Sequence, residues 1–323
     1  MKAIRIEQNG GPEVMRLVEV DMPAPGPHDV RVRNHACGVN FIDTYHRSGL
    51  YKQPLPHGLG QEGAGVVEAI GEGVTRFKIG DRIAYCSGPI GAYAEAHVVR
   101  EDRAVHLPEA ISFDIAAASM LKGMTACYLL RKTFPVQQGH VVLIHAAAGG
   151  VGQIAVQWAA HLGAVVIATV GSDMKAEIAR ELGAHHVLVS SRENVAARVR
   201  EITNGEGVDV VYDGVGKDTW DASLDSLKTL GMMVTFGNAS GPPPAISPLV
   251  LMQKGSLFLT RPTLGNYTRT TAMLDETAAD LFAVIGEGAV KITAPARYAL
   301  ADAAVAHRDL EARKTTGSLV LAP

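Results

Sequence analysis

A glycine-rich turn stands near the middle of the chain, between a β-branched run and an apolar helical pattern. The run Val141–Ile144 leads into His145–Gly152 (HAAAGGVG), and the helical pattern begins at Ile154. Glycines let a backbone approach a diphosphate, and the free N–H groups and dipole of a helix N-terminus favour negative charge. The turn therefore predicts a dinucleotide pyrophosphate contact at Ala148, Gly149, Gly150, Val151 and Gly152.

The spacing of this turn departs from the usual fingerprint of a dinucleotide site. Ala146, Gly149 and Gly152 give A-x-x-G-x-x-G in place of G-x-G-x-x-G. A glycine-rich helix start without a ligand has the same local sequence. The surrounding elements must therefore decide between the two interpretations.

The second strand after the turn indicates which dinucleotide is preferred. NAD sites usually place an acidic residue at the end of that strand, about 20 residues beyond the glycines. Here the strand ends in Thr169-Val170-Gly171-Ser172, and Lys175 follows. Gly171 and Ser172 leave room for a 2′-phosphate and Lys175 supplies a positive charge, so the pattern favours NADPH. The charge of Asp173 opposes this preference, although an N-cap position on the next helix accounts for that residue.

The first 120 residues contain short β patterns separated by glycine- and proline-rich turns. This arrangement is typical of a compact, partly closed antiparallel barrel. The predicted elements are strands at Met1–Ile6, Arg16–Val20, Val30–Ala36, Gly63–Ile70, Arg82–Ala84 and Tyr93–Val99, and a helix at Phe41–Arg47. From Ser112 the period becomes helical and predicts two separate amphipathic segments, Asp114–Met120 and Met124–Phe134.

From residue 141 to about residue 238, predicted strands alternate with helices, which indicates a parallel sheet covered on both faces. The strands are Val141–Ile144, Val165–Val170, His186–Val189, Val208–Asp213 and Met232–Gly237, and the helices are Gly152–Leu162, Asp173–Leu182, Asn194–Thr203 and Trp220–Leu227. A later strand, Ser256–Arg261, is expected at a sheet edge, where a second subunit can pair with it. A helix, Thr270–Gly286, and a short tail ending in Gly317–Leu321 complete the pattern.

Composition excludes several classes of function. The 323 residues carry a formal net charge of −3 with scattered basic residues, which gives no electrostatic case for binding nucleic acid or a membrane surface. We see no membrane span and no apolar signal segment, so we expect a cytoplasmic protein. Three cysteines, Cys37, Cys86 and Cys127, predict neither a disulfide framework nor a four-thiolate zinc site.

The order of motifs resembles one protein family over essentially the whole chain. The motifs are G-x-N-F-x-D at Gly38–Asp43, R-S-G-L-Y at Arg47–Tyr51, G-x-E-x-x-G at Gly60–Gly65, K-G-x-T-A at Lys122–Ala126, H-A-A-A-G-G-V-G at His145–Gly152 and F-G-N-A-S-G at Phe236–Gly241. Together they resemble the medium-chain dehydrogenase/reductase superfamily. Within it, they are most similar to the zinc-free quinone oxidoreductase branch, which includes the ζ-crystallin-like proteins.

This resemblance implies an α/β protein with two domains. A GroES-like, partly open β-barrel forms the catalytic domain, and a Rossmann domain with a doubly wound parallel sheet binds NADPH. The predicted boundaries are 1–123 for the first part of the catalytic domain, 124–264 for the nucleotide domain and 265–323 for the return segment. We expect the cleft between the domains to hold the nicotinamide and a flat substrate.

Two positions distinguish this chain from the zinc-dependent alcohol dehydrogenases. By the resemblance, Asn40 stands where those enzymes have a cysteine ligand, and Gln61 stands where they have the histidine of G-H-E. Neither amide is a zinc ligand of normal strength, so we expect no metal. Without a Lewis acid, simple alcohol oxidation is disfavoured, whereas electron-poor acceptors such as quinones and enones need less assistance.

The resemblance places Asn40, Tyr45 and Tyr51 around the nicotinamide as candidate catalytic residues. These side chains carry hydrogen-bond donors for an oxygen that becomes negative, and Asp43 is expected to orient them. Each has a structural alternative, because Asn40 is also suited to cap the helix at Phe41, and the tyrosines are also suited to packing.

Further cofactor contacts are implied by the same resemblance. Thr125 matches a residue at the carboxamide end of the cofactor. Phe236 begins the F-G-N-A-S-G motif at the end of the last main strand, and Asn238 lies in the loop after that strand. Arg313 matches an arginine that reaches the adenosine phosphate. Ser191 stands where close relatives tend to carry a tyrosine beside that phosphate. His145 is interpreted as a strand-end residue and not as a base.

The sequence therefore predicts a zinc-independent NADPH:quinone oxidoreductase that acts on a small-molecule quinone, by hydride or electron transfer, as a homodimer. Two alternatives stay open at this point. One is an NADPH-dependent alkenal, enone or enoyl-thioester reductase. The other, of a different class, is an NADPH-binding structural or regulatory protein without turnover, because fold alone does not establish function.

Overall fold

The computed structural model describes all 323 residues, Met1–Pro323. Sixteen strands are present, and their bounds are Lys2–Ile6 (β1), Arg16–Glu19 (β2), Asp29–Val39 (β3), His57–Gly58 (β4), Glu62–Ile70 (β5), Arg82–Tyr85 (β6), Ala96–Arg100 (β7), Ala104–His106 (β8), Val141–Ile144 (β9), Val165–Val170 (β10), His186–Val189 (β11), Val208–Asp213 (β12), Leu227–Thr235 (β13), Phe258–Thr260 (β14), Ala296–Ala299 (β15) and Leu319–Ala322 (β16).

Ten α-helices accompany the strands. Their bounds are Phe41–Ser48 (α1), Phe113–Tyr128 (α2), Gly150–His161 (α3), Asp173–Glu181 (α4), Val195–Ile202 (α5), Trp220–Ser226 (α6), Leu249–Gln253 (α7), Leu264–Tyr267 (α8), Thr271–Gly286 (α9) and Ala303–Glu311 (α10). Short 3₁₀ turns lie at Pro12–Val14, Glu101–Arg103 and Leu300–Asp302, and a π-helical turn, Leu129–Thr133, follows α2.

The chain divides into two compact units. Met1–Met124, Thr268–Gly286 and Ile292–Pro323 form the first unit, and Thr125–Tyr267 and Glu287–Lys291 form the second. The short segment Glu287–Lys291 joins the second unit because the side chain of Gln157 and the backbone of Lys291 exchange two hydrogen bonds, of 2.9 and 3.1 Å. The domain roles assigned from the sequence stay predictions.

The first unit is built around the long strand β3. It pairs antiparallel with β16, β5 and β7, within a sheet of order β15-β16-β3-β5-β6-β8, and a smaller sheet has the order β2-β1-β4. Side chains from alternate positions of these strands form an apolar core that includes Val30, Val32, Val67, Ile83 and Tyr85. Burial of this alternating set is what holds the register, because a one-residue shift would expose it.

The second unit is a parallel sheet of order β11-β10-β9-β12-β13-β14. The chain winds outward from β9 in one direction and from β12 in the other, so the sheet is doubly wound. Apolar residues from the strands and from α5 and α6 form the core on one face, with Leu143, Ile167, Val211, Met233 and Trp220 among them. The strand order places a topological switch point between β9 and β12, where ligands bind in such sheets.

One sequence prediction about the helices is wrong. The segments Asp114–Met120 and Met124–Phe134 were expected to be separate, but they belong to the single helix α2 and its π-helical extension. The interval between them contains one glycine and no proline, and a glycine costs a helix interior only about 1 kcal/mol. Local pattern therefore suggested a break that tertiary contacts override.

One helical stretch, Phe113–Thr133, is long and apolar enough to cross a membrane by length and composition alone. Burial within the protein accounts for that composition, because 78% of its 18-residue window is buried. Core helices of soluble proteins share this property, so the stretch is weak evidence for a membrane span.

Candidate active site and cofactor site

The predicted phosphate turn is a strand, a tight turn and a helix in the second unit. Gly149 is the N-cap of α3, and Ala146 adopts a left-handed φ of 51°. A Cβ atom on Gly152 would lie 2.4 Å from the Ala146 carbonyl oxygen, so only glycine fits this close approach. The first turn of α3 leaves the N–H groups of Gly150 and Val151 without intrahelical acceptors, as an anion site requires.

Backbone hydrogen bonds attach this turn to both neighbouring strands. The N–H of Ala147 donates to the carbonyl of Thr169 in β10, over 3.0 Å, and the N–H of His145 donates to the carbonyl of Tyr212 in β12, over 3.1 Å. The turn therefore has a fixed position at the carboxyl ends of the central strands. Ala148, the next residue, is buried, and its carbonyl accepts from the Gln153 side chain over 3.0 Å.

A buried side-chain network lies directly beneath the turn. The ring of His145 bonds to Thr169 Oγ1 through Nδ1 (2.9 Å) and to Ser223 Oγ through Nε2 (3.0 Å), and Ser223 Oγ donates to Asp213 Oδ2 (2.7 Å). Because the Ser223 hydroxyl donates to the carboxylate, it accepts from Nε2–H, which leaves Nδ1 to accept from Thr169. Burial lowers the pKa of His145, so its ring is neutral. The His145 ring therefore links the end of β10 to helix α6.

Sequence reasoning missed Asp213, which anchors this network. Its carboxylate is fully buried and accepts from Ser223, from Thr219 Oγ1 (2.7 Å) and from the N–H groups of Val215 (2.8 Å) and Gly216 (3.0 Å). These donors satisfy both oxygens and fix the loop after β12. The available signal was an aspartate closing an otherwise apolar strand.

The end of β10 has the small residues that the sequence predicted. Gly171 has open space around its Cα hydrogen positions, with no atom within 4 Å of an added Cβ. Ser172 is the N-cap of α4, and its hydroxyl accepts from the backbone N–H of Lys175 over 3.4 Å. The expectation that Asp173 is the N-cap is wrong, because Asp173 is the first residue of α4 and the serine hydroxyl occupies the cap.

A second cation that sequence reasoning missed neutralises Asp173. Arg192, immediately after the exposed Ser191, makes two hydrogen bonds of 2.6 and 2.7 Å to the Asp173 carboxylate. Both side chains are more than half exposed, so the pair contributes little to stability. The arginine does cancel the charge that counted against a 2′-phosphate in the sequence prediction.

The remaining predicted cofactor residues of the second unit lie in two places. Phe236 and Asn238 follow β13, where the Phe236 N–H donates to the Asp213 carbonyl over 2.8 Å and the Asn238 carbonyl accepts from Gly241 over 2.9 Å. Thr125 is buried on α2 and its side chain hydrogen-bonds to that of Tyr128. The residue after β13 is therefore hydrogen-bonded to Asp213, whereas Thr125 lies on a different element, α2.

In the first unit, the predicted catalytic residues cluster at the start of α1. Asn40 is the N-cap of this helix, and its N–H donates to Asp43 Oδ2 over 2.8 Å. Its side-chain amide instead donates to the buried carboxylate of Glu62, also over 2.8 Å. Asn40 therefore caps α1, which was the alternative to a catalytic role. Its side-chain amide is also held in place by Glu62.

The two candidate tyrosines pack against each other. The rings of Tyr45 and Tyr51 meet edge to face with centroids 5.3 Å apart, and the Tyr51 N–H donates to the Tyr45 carbonyl over 3.1 Å. Tyr45 is buried, whereas Tyr51 is partly exposed. The structure thus brings Asn40, Asp43 and Tyr45 onto one short helix and holds Tyr51 beside them.

Asp43 ends a chain of buried hydrogen bonds. Arg47 donates to His307 Nδ1 over 2.9 Å, His307 Nε2 lies 3.1 Å from the Tyr93 hydroxyl, and that hydroxyl donates to Asp43 Oδ2 over 2.8 Å. Glu311 holds Arg47 through two bonds of 2.7 and 3.0 Å. Since arginine only donates, every bond in the chain points toward Asp43. The chain fixes the carboxyl group at the start of α1.

Burial shifts the pKa values of two groups in this hydrogen-bond chain, Asp43 and His307. It raises the pKa of Asp43 to about 7, against the opposing hydrogen bonds from Tyr93 and Asn40, and Asp43 Oδ1 has no hydrogen-bond partner. Burial, together with the Arg47 charge, lowers the pKa of His307 to about 3. His307 is therefore neutral at pH 7, and Asp43 titrates near that pH.

Two further predicted residues lie elsewhere in the first unit. Arg313 is exposed and follows α10 with a left-handed φ of 57°. Gln61 directly precedes β5 and is partly exposed.

The chain is similar to known dehydrogenases and quinone oxidoreductases. The zinc-binding dehydrogenase family matches residues 150–279, and the alcohol dehydrogenase GroES-like domain matches residues 26–109. A quinone oxidoreductase of Pseudomonas aeruginosa is 55% identical over 323 residues, covering 100% of this chain and 99% of that protein. The crystal structure of Escherichia coli quinone oxidoreductase complexed with NADPH has 48% identity and a TM-score of 0.98, and all of both chains is covered.

The chain belongs to the quinone oxidoreductase branch of the medium-chain dehydrogenase/reductase superfamily. This membership confirms the family predicted from the motifs and, with the observed strand orders, the predicted fold class. A 2-haloacrylate reductase of Burkholderia is also similar, with 46% identity over 329 residues and 98% of each chain covered.

Although one matching family is named for zinc, this chain's residues do not fit that ion. The two positions that the motif resemblance matches to zinc ligands hold the carboxamides of Asn40 and Gln61, which are poor zinc ligands. The structure contains no group of three or more His, Cys, Asp or Glu side chains that could hold a metal. Asn40 and Gln61 therefore do not supply the ligands that a catalytic zinc needs.

The second unit does fit a phosphorylated dinucleotide. Gly152 permits a close backbone approach, the first turn of α3 presents free N–H groups, and the end of β10 has open space. Lys175 is the cation close to that space, while Arg192 neutralises Asp173. The contacts of the predicted cofactor residues with a nucleotide stay predictions.

Replacing Lys175 by alanine tests the preference at the end of β10. We expect Lys175→Ala to weaken NADPH binding about tenfold or more, which is the scale of one charge-assisted contact, and to leave NADH binding nearly unchanged. Fluorescence titration with both nucleotides measures the two dissociation constants. The exposed Lys78 is a matched control, and Lys78→Ala should change neither constant. Equal losses for both nucleotides would show that the end of β10 does not read the 2′-phosphate.

The buried chain ending in Asp43 predicts two opposite pH dependences of stability. Between pH 6.5 and about 3, unfolded His307 binds a proton that the folded residue does not, so stability is lost as the pH falls. Between pH 3.8 and about 7, the folded Asp43 holds the extra proton, so stability is lost as the pH rises. Each effect amounts to about 1.4 kcal/mol per pH unit at most.

Urea denaturation of the wild type, His307→Gln and Asp43→Asn between pH 4 and pH 7 measures these effects. As the pH falls from 6.5 to 4, the wild type should lose stability relative to His307→Gln. Over the same range it should gain stability relative to Asp43→Asn. Differences that do not depend on pH, or that share one sign, would contradict the protonation states described above.

Proposed function

We infer that this chain is an NADPH-dependent quinone reductase. The observation that carries this conclusion is its match over all of both chains, at 48% identity, to a quinone oxidoreductase whose structure contains NADPH. The Gly149–Gly152 turn, the small residues after β10 and the positive charge of Lys175 support the same nucleotide, and Arg192 removes the opposing charge of Asp173. The chain is therefore an oxidoreductase with a small-molecule quinone acceptor.

Bound NADPH supplies a hydride, or the equivalent electrons, to the acceptor. In the net reaction NADPH, one proton and a quinone give NADP⁺ and a hydroquinone, so charge and atoms balance when one proton comes from solvent. The protein's part is to orient the acceptor and to donate hydrogen bonds to the oxygen that becomes negative. We assign those donors to Asn40, Tyr45 and Tyr51, which α1 and the following loop hold together.

Asp43 positions these donors. Its Oδ2 accepts from the Asn40 N–H at the start of α1 and from Tyr93, which is itself held by His307. Because both contacts involve buried groups, the helix start cannot shift without breaking them. The positions of Asn40 and Tyr45 therefore depend on the Asp43 carboxyl group.

A specific observation favours a second substrate class. The Burkholderia relative is a 2-haloacrylate reductase, at 46% identity over nearly the full chain. Reduction of an electron-poor carbon–carbon double bond uses the same cofactor and also places negative charge on an oxygen. Quinones are nevertheless the stronger proposal, because the relative with the higher identity is a quinone oxidoreductase.

An acceptor panel decides between these classes. With purified protein and NADPH, we expect 1,2-naphthoquinone and 1,4-benzoquinone to be reduced, followed as loss of nicotinamide absorbance, and a 2-enal or 2-chloroacrylate to be reduced at least tenfold more slowly. Prior treatment with a metal chelator should leave the rate unchanged. Turnover of the alkene acceptors alone would overturn the quinone proposal, and tight NADPH binding without any turnover would indicate a binding protein.

We also propose a homodimer formed through the β14 edge of the parallel sheet. Strand β14 pairs with β13 on one side and ends the sheet on the other. Large apolar side chains are exposed at this edge and on the preceding helix, including Phe258 (56%), Leu249 (61%) and Met252 (58%). An exposed apolar edge strand is a pairing site, and a second copy of the chain covers it.

The change Phe258→Lys tests this dimer. A lysine at the edge introduces charges that repel each other across a two-fold axis, so we expect the molar mass in light scattering to fall from two chains to one. Ile79 is as exposed as these residues but lies in the first unit, and Ile79→Lys should stay dimeric. A wild type with the mass of one chain would contradict the proposal.

A cytoplasmic location completes the proposal. All three cysteines are free thiols buried within the protein, which suits a reducing compartment.

A further inference from the structure

Residues from three separate sequence motifs meet at one buried carboxylate in the first unit. Glu62, from G-x-E-x-x-G, is fully buried, and its neighbours include Gly38 and Asn40 from G-x-N-F-x-D and Lys122 from K-G-x-T-A. A Cβ atom on Gly38 would lie 2.1 Å from Glu62 Oε2 and 2.2 Å from the Ala117 carbonyl oxygen. Position 38 must therefore be glycine for this carboxylate to occupy its place.

Three donors satisfy the Glu62 carboxylate. The backbone N–H of Leu121 donates to Oε1 over 2.7 Å, and Oε2 accepts from Asn40 Nδ2 over 2.8 Å and from Lys122 Nζ over 3.4 Å. The side chains of Glu62 and Lys122 are 0% and 8% exposed. The two side chains therefore form a buried ion pair, and the ammonium lies close to the Asn40 amide because they share one oxygen.

The chemistry of the carboxylate fixes the direction of the Asn40 amide. An ionised carboxylate only accepts, so Asn40 must present its NH₂ group to Glu62 and not its oxygen. One N–H of that group is used and one is left. Lys122 likewise has three N–H donors, of which Glu62 takes one.

A buried ion pair is not explained by stability alone. The cost of removing two charges from water often exceeds their attraction, and apolar residues of similar volume are frequently as stabilising. A positive charge beside Asn40 has another consequence, because Asn40 is a proposed donor to the acceptor oxygen. A cation held in a poorly solvated site stabilises negative charge much more strongly than one in water.

We propose that Lys122, held in place by Glu62, is a further catalytic residue, whose ammonium donates to the acceptor oxygen beside Asn40 as that oxygen becomes negative. This inference rests on the proposed quinone reduction and assigns to Lys122 the electrostatic role that a metal ion has in a metal-dependent dehydrogenase. Lys122 keeps its own proton. The quinone gains two electrons and one hydrogen with the hydride, and one proton from solvent completes the hydroquinone.

Charge-removing variants of the pair test this role. Lys122→Met keeps the aliphatic stem and removes the charge, Lys122→Arg keeps the charge, and Glu62→Gln with Lys122→Met removes both charges together. The exposed Lys78→Met is the matched control for loss of a lysine charge. The readouts are kcat and KM for 1,4-benzoquinone and its mono- and dimethyl derivatives, with the NADPH dissociation constant measured separately.

We expect Lys122→Met to lower kcat about 10²-fold, the usual effect of losing one oxyanion donor, with the NADPH dissociation constant within threefold of the wild type. The loss should grow with each methyl group, because electron-richer quinones depend more on stabilisation of the oxygen. Lys122→Arg should recover at least part of the rate. The double variant should recover thermal stability without recovering kcat, and it reports on the role even if Lys122→Met alone does not fold.

The inference is overturned if the double variant turns over at the wild-type rate, or if the loss in Lys122→Met is the same for every quinone, because a merely structural pair predicts those results. Failure of the proposed function has a different signature. In that case the wild type binds NADPH and reduces no quinone, and the role assigned to Lys122 falls with it. A wild type that reduces quinones, with Lys122→Met equally fast, overturns only the role of Lys122.

Discussion

The first unit depends on the need to satisfy one buried carboxylate, that of Glu62. A charged group without access to water requires hydrogen bonds and a countercharge, and here the backbone of α2, the Asn40 amide and Lys122 supply them. Those contacts join β5 to the start of α1 and to the middle of α2. The same requirement forces a glycine at position 38, because the carboxylate occupies the space of a side chain there.

A comparable constraint organises the second unit. The Asp213 carboxylate is buried at the end of β12, and its donors come from the following loop and from α6. Through Ser223 the network reaches His145 and Thr169, and so spans the carboxyl ends of three neighbouring strands. The phosphate turn begins at the next residue, Ala146. The geometry of the glycine-rich turn is therefore set by buried groups beneath it.

Much of this protein was predictable from local pattern. The βαβ alternation gave the parallel sheet, because strands buried on both faces have continuous apolar runs and their crossovers have helical period. The glycine turn predicted a dinucleotide, and Gly171, Ser172 and Lys175 in place of an acid at the end of Val165–Val170 predicted its class. The prediction of two helices in place of α2 was wrong, because a single glycine looks like a break when its packing partners are distant in sequence.

The site was less predictable than the fold. Asn40, Asp43 and Tyr45 were predicted as site residues because the motifs around α1 resemble those of a known family, and Ser172 and Lys175 because they follow one strand. Arg192 was missed, since its relation to Asp173 exists only when β10 and β11 lie side by side. The same holds for Lys122, whose distance from Glu62 is 60 residues along the chain and 3.4 Å in the fold.

The sequence by itself determined the two folds and the glycine-rich turn, because each depends on residue types at short, regular spacing. The resemblance of its motifs to a known family indicated that Asn40 and Gln61 replace two zinc ligands. Only the tertiary structure decided which charges meet. The fold pairs Lys122 with Glu62 and Arg192 with Asp173. It also aligns the buried hydrogen bonds that run from Arg47 to Asp43. The physical reason is that a buried charge or hydrogen bond depends on distances across the fold, which spacing along the chain does not encode.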